Sequence, residues 1–92
     1  MPIAVQIPSP LRQHTQGRDL VHGQGRTVGE VLHDVIRQFP ELGQRLFDNG
    51  QVRRFVNIYL NDEDIRYLNN LDTPVQEGDQ ISIIPAVAGG KT

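Results

Sequence analysis

The 92-residue chain contains no cysteine, few aromatic residues and no long hydrophobic run. Without cysteine it can form no disulfide, no thiolate metal site and no cysteine nucleophile. No apolar run approaches the roughly 20 residues of a membrane-spanning helix, and no basic N-terminal region precedes an apolar stretch. With an ordinary 37% of hydrophobic residues, these absences predict one soluble, cytoplasmic domain that neither enters a membrane nor is secreted.

Lysine is almost absent as well, because arginine supplies every basic residue before Lys91. If Lys91 were removed, the chain would keep no side-chain thiol or amine that could attack an activated acyl group on its own C-terminus. A genomic preference for arginine codons would give the same composition. The net charge of −2 offers no basic stripe for nucleic acid, and the few serines lie in no nucleophile elbow. Neither a nucleic-acid partner nor a hydrolase is predicted.

The three histidines show no spacing typical of metal ligands. They fall on a loop, at a strand end and on the polar side of a helix, so we expect His14, His22 and His33 to be exposed to solvent. The run Asp62-Glu63-Asp64 lacks the alternating ligands and the glycine of a calcium loop. We interpret it as a solvated turn, and no metal site is predicted.

The C-terminal residues are small and include a glycine pair: residues 85–92 read Pro-Ala-Val-Ala-Gly-Gly-Lys-Thr. Because glycine has no Cβ, another molecule can approach its main chain closely. Fully extended, residues 86–90 would span roughly 17 Å at ~3.3–3.6 Å per residue, enough to enter a narrow channel on a partner. A frayed terminus has a similar composition. We predict a folded domain over residues 1–86 and a flexible tail over residues 87–92.

Sequence periodicity predicts two strands, a helix, a strand, a short edge strand and a final strand. The predicted strands cover 3–7, 18–22, 52–60, 65–67 and 80–85. Thr27 and Glu30 have the spacing of a capping box at the start of the helix. Apolar residues then recur on one helical stripe: Val28, Val31, Leu32, Val35, Ile36 and Phe39. A further short helical piece is expected after Pro40. A single amphipathic helix buries its stripe across one face of a sheet, so we expect an α+β fold whose other face is open.

This order of elements, ending in a strand that leads directly to a glycine pair, resembles the ubiquitin-like β-grasp fold, a mixed sheet with one main helix across one face. Within that fold the chain is similar to the ThiS/MoaD-like sulfur carriers, and most similar to the branch that supplies sulfur for cysteine synthesis. The residues that carry the resemblance are Phe55-Val56-Asn57-Ile58-Tyr59-Leu60-Asn61-Asp62, Glu77-Gly78-Asp79-Gln80-Ile81 and Ile84-Pro85-Ala86-Val87-Ala88-Gly89-Gly90.

The resemblance implies a carrier protein and not an enzyme. An ATP-dependent, E1-like activating enzyme would adenylate the Gly90 carboxylate, which would then become a thiocarboxylate and donate its sulfur. Val87, Ala88 and Gly89 would lie inside the partner. The acceptor would be a pyridoxal-phosphate cysteine synthase, and a metal-dependent peptidase would release the new cysteine. ATP and pyridoxal phosphate would thus be used by the partner enzymes, with no cofactor bound by the carrier itself.

Lys91 and Thr92 depart from the family pattern, which usually ends at the second glycine. While they remain, Gly90 carries an amide in place of a free carboxylate and cannot be adenylated. We therefore expect a precursor that a peptidase cuts between Gly90 and Lys91. Two alternatives are that these residues were added for expression and that this copy has lost the carrier function.

The open face of the sheet is the expected docking surface. If Val56 and its alternate neighbours face the helix, then Phe55, Tyr59 and Ile84 point outward beside the tail. Arg53 and Arg54 would surround them and pair with acidic residues on a partner. Contiguous exposed apolar groups of this kind mark binding sites, although many sheets expose an aromatic residue or two. Two other functions share the activated C-terminus: a ubiquitin-like modifier conjugated through Gly90, and the small subunit of molybdopterin synthase.

Overall fold

The structure contains a five-stranded mixed sheet, a two-stranded hairpin and two α-helices. The computed structural model describes residues 2–85. The strands are β1 (Pro2–Gln6), β2 (Leu20–Gln24), β3 (Phe47–Asp48), β4 (Gln51–Val52), β5 (Val56–Leu60), β6 (Glu63–Asp64) and β7 (Gln80–Pro85). The α-helices are α1 (Val28–Gln38) and α2 (Glu41–Leu46), and 3₁₀ helices cover Ser9–His14, Ile65–Tyr67 and Asn70–Asp72.

The large sheet has the strand order β2-β1-β7-β5-β6, and β3 pairs with β4 in the hairpin. β1 and β7 run parallel, whereas the other neighbouring pairs are antiparallel. β7 therefore lies in the middle of the sheet, between β1 and β5. With α1 packed across one face, this is the ubiquitin-like β-grasp architecture. The predicted α+β fold with a mixed sheet and one main helix is confirmed.

The capping box predicted at the start of α1 is present with one difference. The Thr27 hydroxyl accepts a hydrogen bond from the Glu30 N–H at 3.2 Å, as expected for an N-cap threonine. The Glu30 carboxylate accepts from the N–H of Arg26 at 2.8 Å, one residue before the cap, where the standard box would use Thr27 itself. Both contacts fix the direction in which the chain enters α1.

The core lies between α1 and the inner face of the sheet. Val28, Val31, Leu32 and Val35 of the predicted stripe are fully buried, and Phe39 packs against the same cluster just beyond the helix. The sheet contributes alternate residues of its strands: Ile3, Val5, Val21, Ile58, Leu60, Ile81 and Ile83. The apolar pattern of the sequence therefore predicted correctly which face of each element is buried.

Gly23 lets β2 approach α1 more closely than any other residue would permit. A Cβ built on Gly23 would lie 2.6 Å from the Val31 carbonyl oxygen and 2.8 Å from a methyl carbon of Val35. Backbone atoms cannot yield at such distances, so a side chain here would push the helix away from the sheet.

The strand predicted over residues 52–60 is wrong in its first half. Val52 belongs to the β3-β4 hairpin, whose turn has positive φ angles of 55° at Asn49 and 80° at Gly50, as a two-residue hairpin turn requires. The chain then turns at Arg53, whose carbonyl oxygen accepts from the Val56 N–H at 3.0 Å. β5 begins only at Val56, so Phe55 lies in the turn before the strand.

The edge strand predicted over residues 65–67 is also wrong, because the edge strand is β6 and a 3₁₀ helix follows it. The Asp64 carboxylate caps this helix by accepting from the Arg66 N–H at 2.9 Å. Nor is Asp64 part of a solvated turn, since its side chain is only 6% exposed. Local capping by Asp64 therefore overrides the apolar alternation of Ile65 and Tyr67.

The predicted tail lies outside the described residues. This applies to the domain boundary after residue 86 and to the tail residues Val87, Ala88, Gly89, Gly90 and Lys91. Their assigned roles remain predictions.

Candidate functional site

The last described strand delivers the C-terminal residues to one end of the sheet. Pro85, its final residue, pairs with Val56, the first residue of β5. The turn over residues 53–55 immediately precedes Val56, so the chain leaves the described domain beside Arg54 and Phe55.

Two large apolar side chains are exposed at this end. Phe55, in the turn before β5, is 57% exposed, and Ile84 is 44% exposed on the face of β7 that points away from the helix. Tyr59 is half-buried and lies two residue pairs further along the sheet from Ile84, opposite Ser82. Phe55 and Ile84 thus lie at one end of the sheet, whereas Tyr59 lies towards the other end of β5. The role of these residues in docking remains a prediction.

The two arginines beside Phe55 differ in how they are held. Arg53 donates from its Nε to the carbonyl oxygen of Gln44 at 2.8 Å, which fixes its side chain against α2. Arg54 is exposed, and no hydrogen bond or salt bridge of its side chain occurs within residues 2–85. Within that part of the chain, none of the five N–H donors of its guanidinium is used.

A third arginine, Arg66, is held by the buried Asp64 at the β6 side of β5. Arg66 donates from Nη2 to the Asp64 carboxylate at 2.6 Å and to the Asn57 side-chain oxygen at 2.9 Å. The side-chain hydrogen bond from Arg66 lowers the pKa of Asp64 below its ordinary value, and the Arg66 backbone N–H lowers it further, against the opposing effect of burial. Sequence reasoning missed this pair, although the Asp-x-Arg spacing at the end of a strand was a signal for it.

The Asp64–Arg66 pair makes stability depend on pH in acid. Because the folded-state pKa is depressed, the stabilisation is complete above the ordinary value of 3.8 and is lost as the pH falls through the folded value. At neutral pH we expect the wild type to have a higher Tm than Asp64→Asn. This difference in Tm should shrink as the pH falls from about 4 to about 2. Thermal unfolding followed by circular dichroism measures this, with Asp62→Asn as an exposed control. A difference in Tm that stays constant across this range would contradict the assignment.

Two histidines make more side-chain contacts than expected. His14 has a side chain only 10% exposed and lies 2.7 Å from the Glu41 carboxylate, so the prediction that it is solvent-exposed was wrong. His33 is exposed, but its ring stacks on Phe47 with centroids 5.3 Å apart. Among residues 2–85, no cluster of three or more potential ligands is arranged to hold a metal ion.

No helix within residues 2–85 combines the length and the apolar character needed to cross a bilayer.

Comparison with known proteins assigns the chain to a family. The ThiS family model matches residues 5–90. The sulfur carrier protein CysO of Mycobacterium tuberculosis is 44% identical over 93 residues, which cover 98% of this chain and 100% of that protein. In the crystal structure of the Amycolatopsis orientalis BexX/CysO complex, one chain superposes with a TM-score of 0.89 at 42% identity, covering 96% of this chain and 99% of the other.

A second kind of relative shares the fold at lower identity. The small archaeal modifier protein 1 of Methanosarcina acetivorans superposes with a TM-score of 0.85 at 28% identity, covering 97% of this chain and 96% of the other. The family match includes the β-grasp core and continues through the glycine pair to residue 90. On these grounds the chain belongs to the ThiS family.

Proposed function

We propose that this protein is a sulfur carrier for cysteine biosynthesis whose reactive group is the carboxylate of Gly90. The observation that supports this most directly is its 44% identity, over nearly the whole of both chains, to a protein known as a sulfur carrier. The exit of the chain beside exposed Phe55 and Ile84 agrees with a role in which partner enzymes grip the domain and act on its terminus.

The chemistry of a carboxylate explains why activation is needed. The Gly90 carboxylate attacks the α-phosphorus of ATP and releases pyrophosphate, which makes AMP a leaving group on the acyl carbon. A sulfur nucleophile then displaces AMP and leaves a thiocarboxylate. Because the sequence has no cysteine and only one lysine, at position 91, a chain trimmed after Gly90 has no side-chain thiol or amine to intercept the acyl adenylate.

Partner enzymes supply the catalysis and the cofactors in this proposal. An E1-like enzyme uses ATP to activate Gly90. A pyridoxal-phosphate enzyme then accepts the sulfur, and the cysteine that it makes is still attached to the carrier. A metal-dependent peptidase then releases the product. The carrier acts as a co-substrate, with Val87, Ala88 and Gly89 threaded into the partner. The related CysO of Amycolatopsis orientalis was crystallised in a complex with BexX.

Residues Lys91 and Thr92 make the chain a precursor in this proposal. As long as the Gly90–Lys91 peptide bond is intact, no carboxylate exists at Gly90 and adenylation is impossible. A peptidase cut at this bond therefore controls when the carrier becomes active.

Intact-protein mass spectrometry of the protein isolated from its source cells tests this proposal. We expect a mass that lacks Lys91 and Thr92, with a fraction raised by the exchange of one oxygen for sulfur. Lys91→Pro serves as a matched variant, since a Gly-Pro bond resists most peptidases, and it should carry no sulfur. A chain that stays full-length under sulfur demand, or a trimmed chain that never gains sulfur, would contradict the proposal.

Ile84→Asp should weaken binding to the activating enzyme without unfolding the domain. A carboxylate placed at this exposed position of β7 would have to be desolvated in an apolar interface, which typically costs several-fold to a hundredfold in affinity, or about 1–3 kcal/mol. Isothermal calorimetry measures the loss, and urea unfolding checks the fold. A large fall in the free energy of unfolding would show instead that Ile84 belongs to the core.

A ubiquitin-like modifier is the second candidate function. The 28% identical archaeal modifier protein with the same fold favours it. A modifier would be found in covalent complexes with larger proteins through an isopeptide bond from Gly90, whereas a sulfur carrier gains a single sulfur atom. Immunoblotting of denatured cell extract for high-mass adducts distinguishes the two.

A further inference from the structure

A cleft of about 400 Å³ lies beside β5, between the β3-β4 hairpin and the segment that follows β6. Its apolar lining comes from the hairpin, from β5 and from the two 3₁₀ helices that follow β6: Val52, Val56, Ile58, Ile65 and Leu71. Arg53, Arg54 and Arg66 line it as well. Within the turn over residues 53–55, Arg53 and Arg54 thus line the cleft, whereas the neighbouring Phe55 is exposed and is not part of the lining.

The cleft is positive in a chain that is negative overall. Three arginines against the single carboxylate of Asp64 give its lining a net charge of +2, whereas the whole chain carries −2. Arg66 is already neutralised by Asp64 at 2.6 Å. The free charge thus belongs to Arg53, which is held in place through its Nε, and to Arg54, which has no partner within residues 2–85.

We propose that this cleft receives an aspartate- or glutamate-bearing loop of the enzyme that takes up the C-terminal residues, an inference that rests on the proposed function. The apolar floor suits the aliphatic part of such a loop, and the guanidinium groups of Arg53 and Arg54 match carboxylates at its tip, since arginine binds carboxylates through two parallel N–H bonds. The partner then holds the end of β5 from both sides, by apolar contact at Phe55 and by charge at Arg54.

The cleft lies next to the point where the chain leaves the described domain. Pro85 pairs with Val56, which lines the cleft, so the carboxylate contact lies beside the point where the chain enters the partner. Charge pairs at an interface speed association and fix the register of the two surfaces. A carrier held in one register presents its terminus to the partner's active site in one orientation.

Charge reversal tests the contact by calorimetry with the adenylating enzyme encoded in the source genome, using a chain that ends at Gly90. Arg54→Glu should weaken binding at least about tenfold, because close charge pairs across interfaces couple strongly. Arg18→Glu is the matched control: Arg18 is also exposed, and it precedes β2 at the opposite edge of the sheet. Equal affinity of Arg54→Glu and Arg18→Glu would overturn the proposal.

The scarcity of lysine permits a direct chemical test of the partner's charge. In a chain ending at Gly90, Arg54→Lys places the only side-chain amine of the protein at the cleft. Carbodiimide coupling should then join Lys at position 54 to a carboxylate of the adenylating enzyme, and peptide mass spectrometry identifies which one. Arg18→Lys should give no such product. Coupling that is no more frequent for Arg54→Lys than for Arg18→Lys would overturn the proposal.

The outcomes separate this inference from the proposed function. If the chain ending at Gly90 binds and gains sulfur but is indifferent to the charge at position 54, only the cleft contact fails. If that chain neither binds the adenylating enzyme nor gains sulfur, the carrier function fails and the cleft contact fails with it.

Discussion

Gly90→Ala, in a chain ending at residue 90, should form thiocarboxylate roughly 10- to 200-fold more slowly than the unsubstituted chain, the range for one added methyl group in a fitted site. The added Cβ lies next to the acyl carbon that AMP and sulfur must reach in turn. The described core lies between Ile3 and Ile83, so we expect the Tm to stay unchanged. Single-turnover assays with the activating enzyme, followed by intact mass, measure the rate.

A chain ending at Gly89 separates the position of the carboxylate from the size of the last residue. It keeps a terminal glycine, but its carboxylate falls short by one residue, about 3.3–3.6 Å. Because even ~1 Å of misplacement can cost about 100-fold, we expect a still larger loss than for Gly90→Ala. Normal sulfur transfer by either variant would contradict the assignment of Gly90 as the reactive residue.

Ile83→Ala should lower the free energy of unfolding by about 2–5 kcal/mol, the usual cost of emptying a buried isoleucine site. Ile83 is 2% exposed in the middle of the sheet and pairs with Ile58, which is equally buried. Equilibrium unfolding in urea gives the free energy and shows whether the slope with denaturant changes.

Ile84→Ala is the matched control one residue along the same strand. The side chain of Ile84 is 44% exposed, so its loss should cost less than about 1 kcal/mol. If both variants lost the same free energy of unfolding, the description of β7 as a strand with one buried face and one open face would be wrong. For binding to the activating enzyme we expect the opposite order: Ile84→Ala should lower the affinity and Ile83→Ala should not. This result would link the exposed face of β7 to function.

Much of the fold was predictable because its signals are local. Alternation placed Ile58 and Ile83 on buried faces, and the Thr27 cap with its apolar stripe defined α1. The secondary-structure predictions were wrong where a turn hydrogen bond competed with the alternation of apolar residues. Alternation continues through residues 53–55, but the hydrogen bond from the Val56 N–H to Arg53 makes a turn there.

The candidate site was only partly predictable. The exposure of Phe55 and Ile84 was expected, but alternation explains only that of Ile84, because Phe55 lies in the turn before β5. The cleft was not, because its lining is assembled from the hairpin, β5 and the segments after β6, which periodicity cannot bring together. The contact of His14 with Glu41, 27 residues apart, was hidden for the same reason.

The central position of β7 has a consequence for how the protein is made. β1 and β7 touch across a separation of 74 residues, as the Gln6–Gln80 contact shows, and contacts between such distant residues form late and slowly in folding. A ribosome releases β1, β2 and α1 long before β7, so a chain cut short before Gln80 leaves β1 and β5 with unpaired edges that invite aggregation and degradation. Copies that end before β7, which also lack the glycine pair, are thus exposed to degradation before they can compete for the partner enzymes.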